Sequence, residues 1–235
     1  MHKEYLFWNV DTQIDFIKSD GKLPVPEAEG ILLNLYSLTR IAENGNIQVV
    51  NTCDWHTSET EEISETPDFI NTFPEHCMEN TKGAEFVVET TPSQPYVISY
   101  SQKDFIPEDA IQHRNIVIQK DKFDVFSGNP FTEKLLDKLS QNIFVVYGVA
   151  ENVCVNFAVK GLLDRGKEVW VISDAIKGLP NIGSPINDWI ESGAKIKTLN
   201  DLKNQVYSVF KQGNIMGGYD LVDREGNVIE RDLES

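Results

Sequence analysis

The chain has 235 residues, of which 40% are hydrophobic, 25% charged and 10% aromatic. Those are globular proportions, and they exclude a disordered chain, a collagen-like repeat and a disulfide-stapled miniprotein. Lys and Arg number 21 against 37 Asp and Glu, a formal net charge of −16, and a field of that sign argues against nucleic acid or an anionic membrane as partner.

No apolar run reaches the roughly 18 residues of a membrane helix. The opening MHKEYLFWNVDTQ has no small-residue cleavage site of the kind that ends a signal peptide, so a cytoplasmic protein is expected. Cys53, Cys77 and Cys154 make an odd count, which predicts free thiols in a reducing compartment.

Short apolar β-rich runs alternate with helical patterns along the chain. That rhythm predicts an α/β fold of three layers, α/β/α: a Rossmann-like, mostly parallel sheet of about six strands with helices on both faces. Tyr5 to Val10 reads as the first strand. A helix over about 27–43 follows, with Ile31, Leu32, Leu35, Leu38 and Ile41 at 3–4 spacing. Ile47 to Asn51, Asn115 to Gln119 and Ile143 to Gly148 read as the next three strands. Phe131, Leu135, Leu136 and Leu139 mark a helix between the last two. A helix over about 152–165 leads to the strand Glu168 to Ile172. A helix near 185–192, a short strand at Lys195 to Lys197 and a helix near 199–211 complete the pattern. We read residues 1–235 as one domain. It carries a long polar loop insertion near 57–95, of a length that is usually functional or else disordered. Its tail near 213–235 alternates around Glu225-Gly226, as in a small hairpin, although a loosely attached tail fits equally well.

Ligands of parallel α/β sheets bind beyond the carboxyl ends of the strands. Four predicted exits carry reactive side chains here: Asp11, the run Cys53-Asp54-Trp55-His56, Lys120 and the turn leading to Cys154. A thiol at a helix start faces the positive end of the helix dipole, and a nearby cation would further favour the nucleophilic thiolate. Lys120 is a candidate for that cation, Asp11 for the group that takes up and returns the proton, and the backbone N–H groups of the turn for oxyanion donors. Asp54 and His56 stand two apart in an extended segment and so point the same way. With His76 from the long loop they would form an O/N/N set. Such a set suits zinc, iron or manganese and leaves positions open for water or substrate.

The motifs VDTQIDF (10–16), CDWH (53–56), FPEHCMENTKGAEF (73–86), KDKFDVFSG (120–128), GVAENVCV (148–155) and ISDA (172–175) resemble, in this order, those of the isochorismatase-like cysteine hydrolases. Within that superfamily they are most similar to the nicotinamidase/pyrazinamidase branch. The resemblance implies a catalytic triad of Asp11, Lys120 and Cys154. Lys120, not Lys122, takes the family's lysine position. It also implies one divalent metal ion, zinc first and iron or manganese as alternatives, on Asp54, His56 and His76. An oxyanion hole of the Ala150 and Cys154 N–H groups follows, with a cis peptide before Ala150, and Phe16 and Phe73 are placed around the substrate. The expected partner is a small amide, nicotinamide or a close heteroaromatic relative, and the family is often homo-oligomeric.

Three features depart from the family pattern. The family usually carries His-Pro after the Asp-x position and another His or Ser a few residues on, whereas here Asp54-Trp55-His56 is followed by Thr57-Ser-Glu-Thr-Glu-Glu. Glu62 or Glu65 from that run is a candidate replacement ligand, although acidic loop runs are ordinarily solvated. Phe73 stands where the family has Trp, and Glu151-Asn152 where it has Thr-Asp. These departures leave open another small-amide or ureide hydrolase of the superfamily, or a binding protein that kept the fold and lost the reaction. Isochorismatases proper lack the cysteine and the metal set. A redox sensor built on Cys154 ranks last, since no second cysteine is placed to resolve it.

Overall fold

The computed structural model describes residues 5–212, 220–222 and 228–231. They divide into two compact units, one of His2–Leu199 and one from Asn200 onward.

In the first unit, β1 (Tyr5–Val10) is followed by the one-turn helix α1 (Ile14–Ile17) and by α2 (Leu32–Asn44). Then come β2 (Gln48–Asp54), β3 (Tyr96–Ile98), α3 (Pro107–Ala110), β4 (Asn115–Lys120), α4 (Val125–Gly128) and α5 (Thr132–Leu136). β5 (Ile143–Val149), α6 (Cys154–Asp164), β6 (Glu168–Lys177), α7 (Ile186–Glu191) and β7 (Lys195–Lys197) complete it. The seven strands form one sheet in the order β3-β4-β2-β1-β5-β6-β7, and every pairing is parallel. All six residues of β1 are buried, as expected of a central parallel strand covered on both faces. Leu6, Trp8 and Val10 join a core cluster with Val155, Ala158, Val159 and Leu162 of α6. By alternation Phe7 faces the other side, where its ring meets Tyr147 edge-on.

The expected elements are all present, and three differences have local causes. The sheet has seven strands because Tyr96–Ile98 pairs with β4; three residues between polar stretches are too few to show a period. The helix expected over about 27–43 begins as a 3-10 turn, Ala28–Ile31, before α2. β6 continues five residues past Ile172 through Ser173 and Asp174, with a register shift opposite β5 between Val146 and Gly148. Gly148 has φ +122°, and a Cβ there would lie 2.0 Å from the Val10 carbonyl oxygen. Only glycine lets β5 pass this close to the exit of β1.

The second unit holds α8 (Leu199–Gln212) from Asn200 on, together with β8 (Asp220–Val222) and β9 (Val228–Arg231), which pair antiparallel. The Glu225-Gly226 turn of that predicted hairpin lies outside the described residues. Among the described residues, no helix is long and apolar enough to cross a membrane.

Candidate active site

Because β4, β2, β1 and β5 are consecutive in the sheet, their carboxyl ends deliver four side chains to one place, beside the point where strand order reverses. Asp11 follows β1, Asp54 ends β2, Lys120 ends β4 and Cys154 opens the helix after β5. Asp54 and Lys120 are register partners, so their side chains leave the same face. All four are buried.

Lys120 is the hub. Its Nζ lies 2.9 Å from Asp11 Oδ2, makes an ion pair with Asp54 Oδ1 and donates to Cys154 Sγ at 3.7 Å. Burial opposes charging the lysine, but the two carboxylates outweigh it and hold its pKa well above the usual value. Asp54 is buried too, yet Lys120 and the two histidines hold its carboxyl well below the ordinary range. Asp11 moves the other way: burial raises its pKa, Lys120 opposes, and Asp54 adds to the rise. It adopts the left-handed region, φ 48°. The Thr52 carbonyl accepts its N–H at 3.1 Å, and Thr52 Oγ1 donates to its carboxylate at 2.6 Å. Two carboxylates around one cation are thus pushed apart in proton affinity, the pattern that separates an acid/base group from a permanent charge.

The Cys154 thiol differs from the expectation of a low pKa. Burial pushes it well above its ordinary value, Lys120 opposes, and Asp11 and Asp54 push it further up. The helix start and the cation are both in place, but two carboxylates beside the sulfur favour the protonated thiol. The resting thiol therefore keeps its proton next to Asp11. The Val149–Ala150 peptide is cis, as the resemblance implied. In the turn that follows, Val153 and Val155 donate to the Ala150 carbonyl at 3.0 and 3.1 Å, and Glu151 donates to Lys177 at 2.8 Å. That leaves the Ala150 and Cys154 amides without an acceptor among the described residues.

Asp54 Oδ2 faces His56 Nε2 at 3.6 Å and His76 Nε2 at 3.8 Å, and donor atoms of the three residues all lie within 4.8 Å of one another. His56 is fully buried, yet neither of its ring nitrogens has a hydrogen-bond partner among the described residues. A buried imidazole is rarely left so. His76 Nδ1 meets the Pro74 carbonyl at 2.8 Å, which leaves Nε2 for the shared space, the usual outer-shell support of a ligating histidine. An oxygen and two nitrogens with an orphaned donor among them fit a divalent transition metal.

The two acidic loop residues part company. Glu65 is exposed. Glu62 is buried, but it too stands outside the three-residue donor group; one of its oxygens accepts the Phe123 N–H at 3.0 Å. Its other oxygen is buried without a partner among the described residues. Burial, and then the Asp54 charge, raises its pKa from 4.5 to about 7. A raised carboxyl makes the folded state hold its proton more tightly than the unfolded one. It therefore favours folding at acid pH, and that contribution is lost as pH climbs from about 4.5 to about 7. Thermal melts of metal-free protein over this range should show the wild type losing stability relative to Glu62→Gln as pH rises. Parallel curves would refute the assignment.

Above the cluster lies a cavity bounded by Phe16, Leu23, Val25, Phe73, Phe123, Val153 and Leu179, with Asp54, His76, Ala150 and Cys154 as its polar side. The Phe16 and Phe73 rings lie 5.4 and 6.3 Å from the His76 ring, and Phe73 meets Phe123 edge-on at 5.6 Å. Both predicted phenylalanines are therefore walls. Phe123, Leu23 and Leu179 were not legible as such, since each is one apolar residue in a loop. Gln13 was also missed. Its side chain accepts the Asp54 N–H at 2.8 Å and donates to the Asp54 and Ala84 carbonyls at 2.7 and 2.9 Å, tying the β2 exit to the long loop. A polar residue two past a strand exit was its only signal.

Residues 97–182 match the Isochorismatase domain family model. Among solved structures, the pyrazinamidase of Pyrococcus horikoshii in complex with zinc is 27% identical. The alignment covers 83% of this chain and 99% of that one, with a TM-score of 0.64. N-carbamoylsarcosine amidase from Thermoplasma acidophilum is 21% identical over 84% and 97% of the two chains, TM-score 0.64. The pyrazinamidase/nicotinamidase of Streptococcus mutans is 20% identical over 87% and 98%, TM-score 0.60. No curated protein matches the sequence. The chain has the fold of an isochorismatase-like cysteine hydrolase. The family match and the Pyrococcus neighbour support the superfamily, and the neighbours at 20–21% identity show the fold alone.

Proposed function

We propose that the protein is a metal-containing amidohydrolase that converts nicotinamide, or a close heteroaromatic amide such as pyrazinamide, to the acid and ammonia. The observation that carries this reading is Cys154 on the floor of an apolar cavity, with Lys120 in contact with its sulfur and with Asp11 behind it, and with Asp54 and His76 as the other polar edge. Among the described residues, no Arg or Lys lines the cavity, which favours an uncharged ring over a substrate with a free carboxylate. Asp54, His56 and His76 would hold the divalent metal. Zinc is the first choice, by the donor set and by its presence in the Pyrococcus neighbour. Such an ion would supply a positively charged contact for a ring nitrogen, directly or through water.

The chain's own residues do the rest. Phe16 and Phe73 flank the ring. Asp11 takes the thiol proton as the Cys154 sulfur attacks the amide carbon, and Lys120 stabilises the developing thiolate. The Ala150 and Cys154 amides receive the oxyanion. Asp11 then passes the proton to the departing nitrogen, so that ammonia leaves and a thioester remains. Water, deprotonated by Asp11, cleaves the thioester to the acid and restores the thiol. The overall balance is amide plus water to acid plus ammonia.

The deciding experiment incubates purified protein with nicotinamide, pyrazinamide and a small ureide, and measures ammonia release before and after chelation and zinc return. Release from the two ring amides that chelation removes and zinc restores is the expected outcome. Release from the ureide alone would overturn the substrate, and release indifferent to chelation would overturn the metal's part.

A further inference from the structure

We infer that Asp15 is the positioning residue that holds His76 in the metal-binding set, an inference that rests on the metal reading above. Asp15 lies on α1, just past the exit of β1, and is buried. Its carboxylate Oδ2 accepts the Cys77 N–H at 2.8 Å and its Oδ1 accepts the Lys22 N–H at 3.1 Å, while its carbonyl accepts the Leu23 N–H at 3.2 Å. One side chain thus joins the segment that bears Phe16 and Leu23 to the segment that bears His76.

The Cys77 bond matters because the chain turns sharply there. Cys77 adopts φ 43°, a region that a non-glycine residue occupies only where its surroundings hold it. It directly follows His76, whose ring must point Nε2 at Asp54. Gly83 closes the other side: a Cβ there would lie 2.1 Å from Asp15 Oδ2 and 2.3 Å from its Cγ. The loop therefore packs its backbone directly against the carboxylate.

The chemistry requires a carboxylate. Both oxygens accept from backbone N–H groups, whereas an amide offers one acceptor and one NH2 donor. Asp15→Asn has nearly the same shape, yet one of the two bonds becomes donor against donor. The Cys77 or the Lys22 tie must break, and the His76 ring loses its fixed approach.

The test titrates Co2+ into metal-free full-length protein and records its visible absorption, which reports ligand number and geometry. Hydrogen exchange at the Cys77 amide is followed in parallel. Asp15→Asn and Gly83→Ala are both expected to lose about 10- to 100-fold in Co2+ affinity, as outer-shell changes do, with an altered spectrum and faster Cys77 exchange. Thr90→Val breaks a different buried contact, Thr12 Oγ1 to Thr90 Oγ1 at 2.7 Å, and is expected to keep wild-type affinity and spectrum. If Asp15→Asn fails to fold, Gly83→Ala carries the same readouts. Variants that bind Co2+ like the wild type overturn this inference alone. Wild-type protein that takes up no Co2+ overturns the metal reading and this inference with it.

Discussion

Cys154→Ala is expected to abolish turnover while leaving the fold and substrate binding in place. The thiol is the one atom at the cavity floor able to form the covalent intermediate, so nothing replaces it. Removing a nucleophile of this kind costs at least about 10³-fold in rate, because the remaining groups of the unit cannot act without it. Losing one sulfur from a buried helix start leaves only a small void, worth about 1 kcal/mol. The thermal midpoint should therefore hardly move. Ammonia release measures the first effect, and a melt together with ligand protection measures the second. An intact-mass search for an acyl adduct on the wild type, absent from the variant, makes the covalent step visible. A variant that keeps near-normal release would end the thioester mechanism.

Lys120→Met is expected to give the largest loss of stability of any single change at the site. The lysine stands between two buried carboxylates, and removing it leaves Asp11 and Asp54 facing each other with no cation. Breaking a buried ion pair by taking away one partner costs about 3–5 kcal/mol, because the charge left behind is uncompensated. One carboxylate would then have to take up a proton at neutral pH. Denaturant unfolding of metal-free protein at pH 7 reads the loss. The double variant Lys120→Met/Asp11→Asn removes the surplus charge and should recover part of it, a coupling that only groups in contact show. Alkylation of Cys154 should also slow, since Lys120 opposes the rise of the thiol's pKa. Stability within about 1 kcal/mol of wild type would show that the ion pairs are not formed as described.

The residues of the candidate site were legible because parallel strands advertise themselves. A strand buried on both faces must be a near-continuous apolar run, so its end is easy to find, and Asp11, Lys120 and the turn before Cys154 stand at such ends. The pairing of Asp54 with His56 followed from two-residue alternation, and His76 from a motif in which few other histidines compete. Alternation could not show how far β6 runs, because Ser173 and Asp174 interrupt its apolar face, nor find β3, whose three residues are too short to display a period. The acidic run at 57–65 looked uniform, yet one member is buried and another exposed.

The positions of six strands along the chain, their exits and the residue types at those exits were determined by the sequence itself, because backbone geometry and apolar period are local properties. Only the tertiary structure decided which way the pKa values move. Cys154 sits at a helix start beside a lysine, and by that local rule its thiol should be acidic. Burial under the cavity walls and the presence of two carboxylates from distant strands reverse the sign. The same holds for Asp15, Gln13 and Glu62. Their roles depend on which backbone N–H groups a loop tens of residues away brings within about 3 Å, and no local pattern encodes that distance.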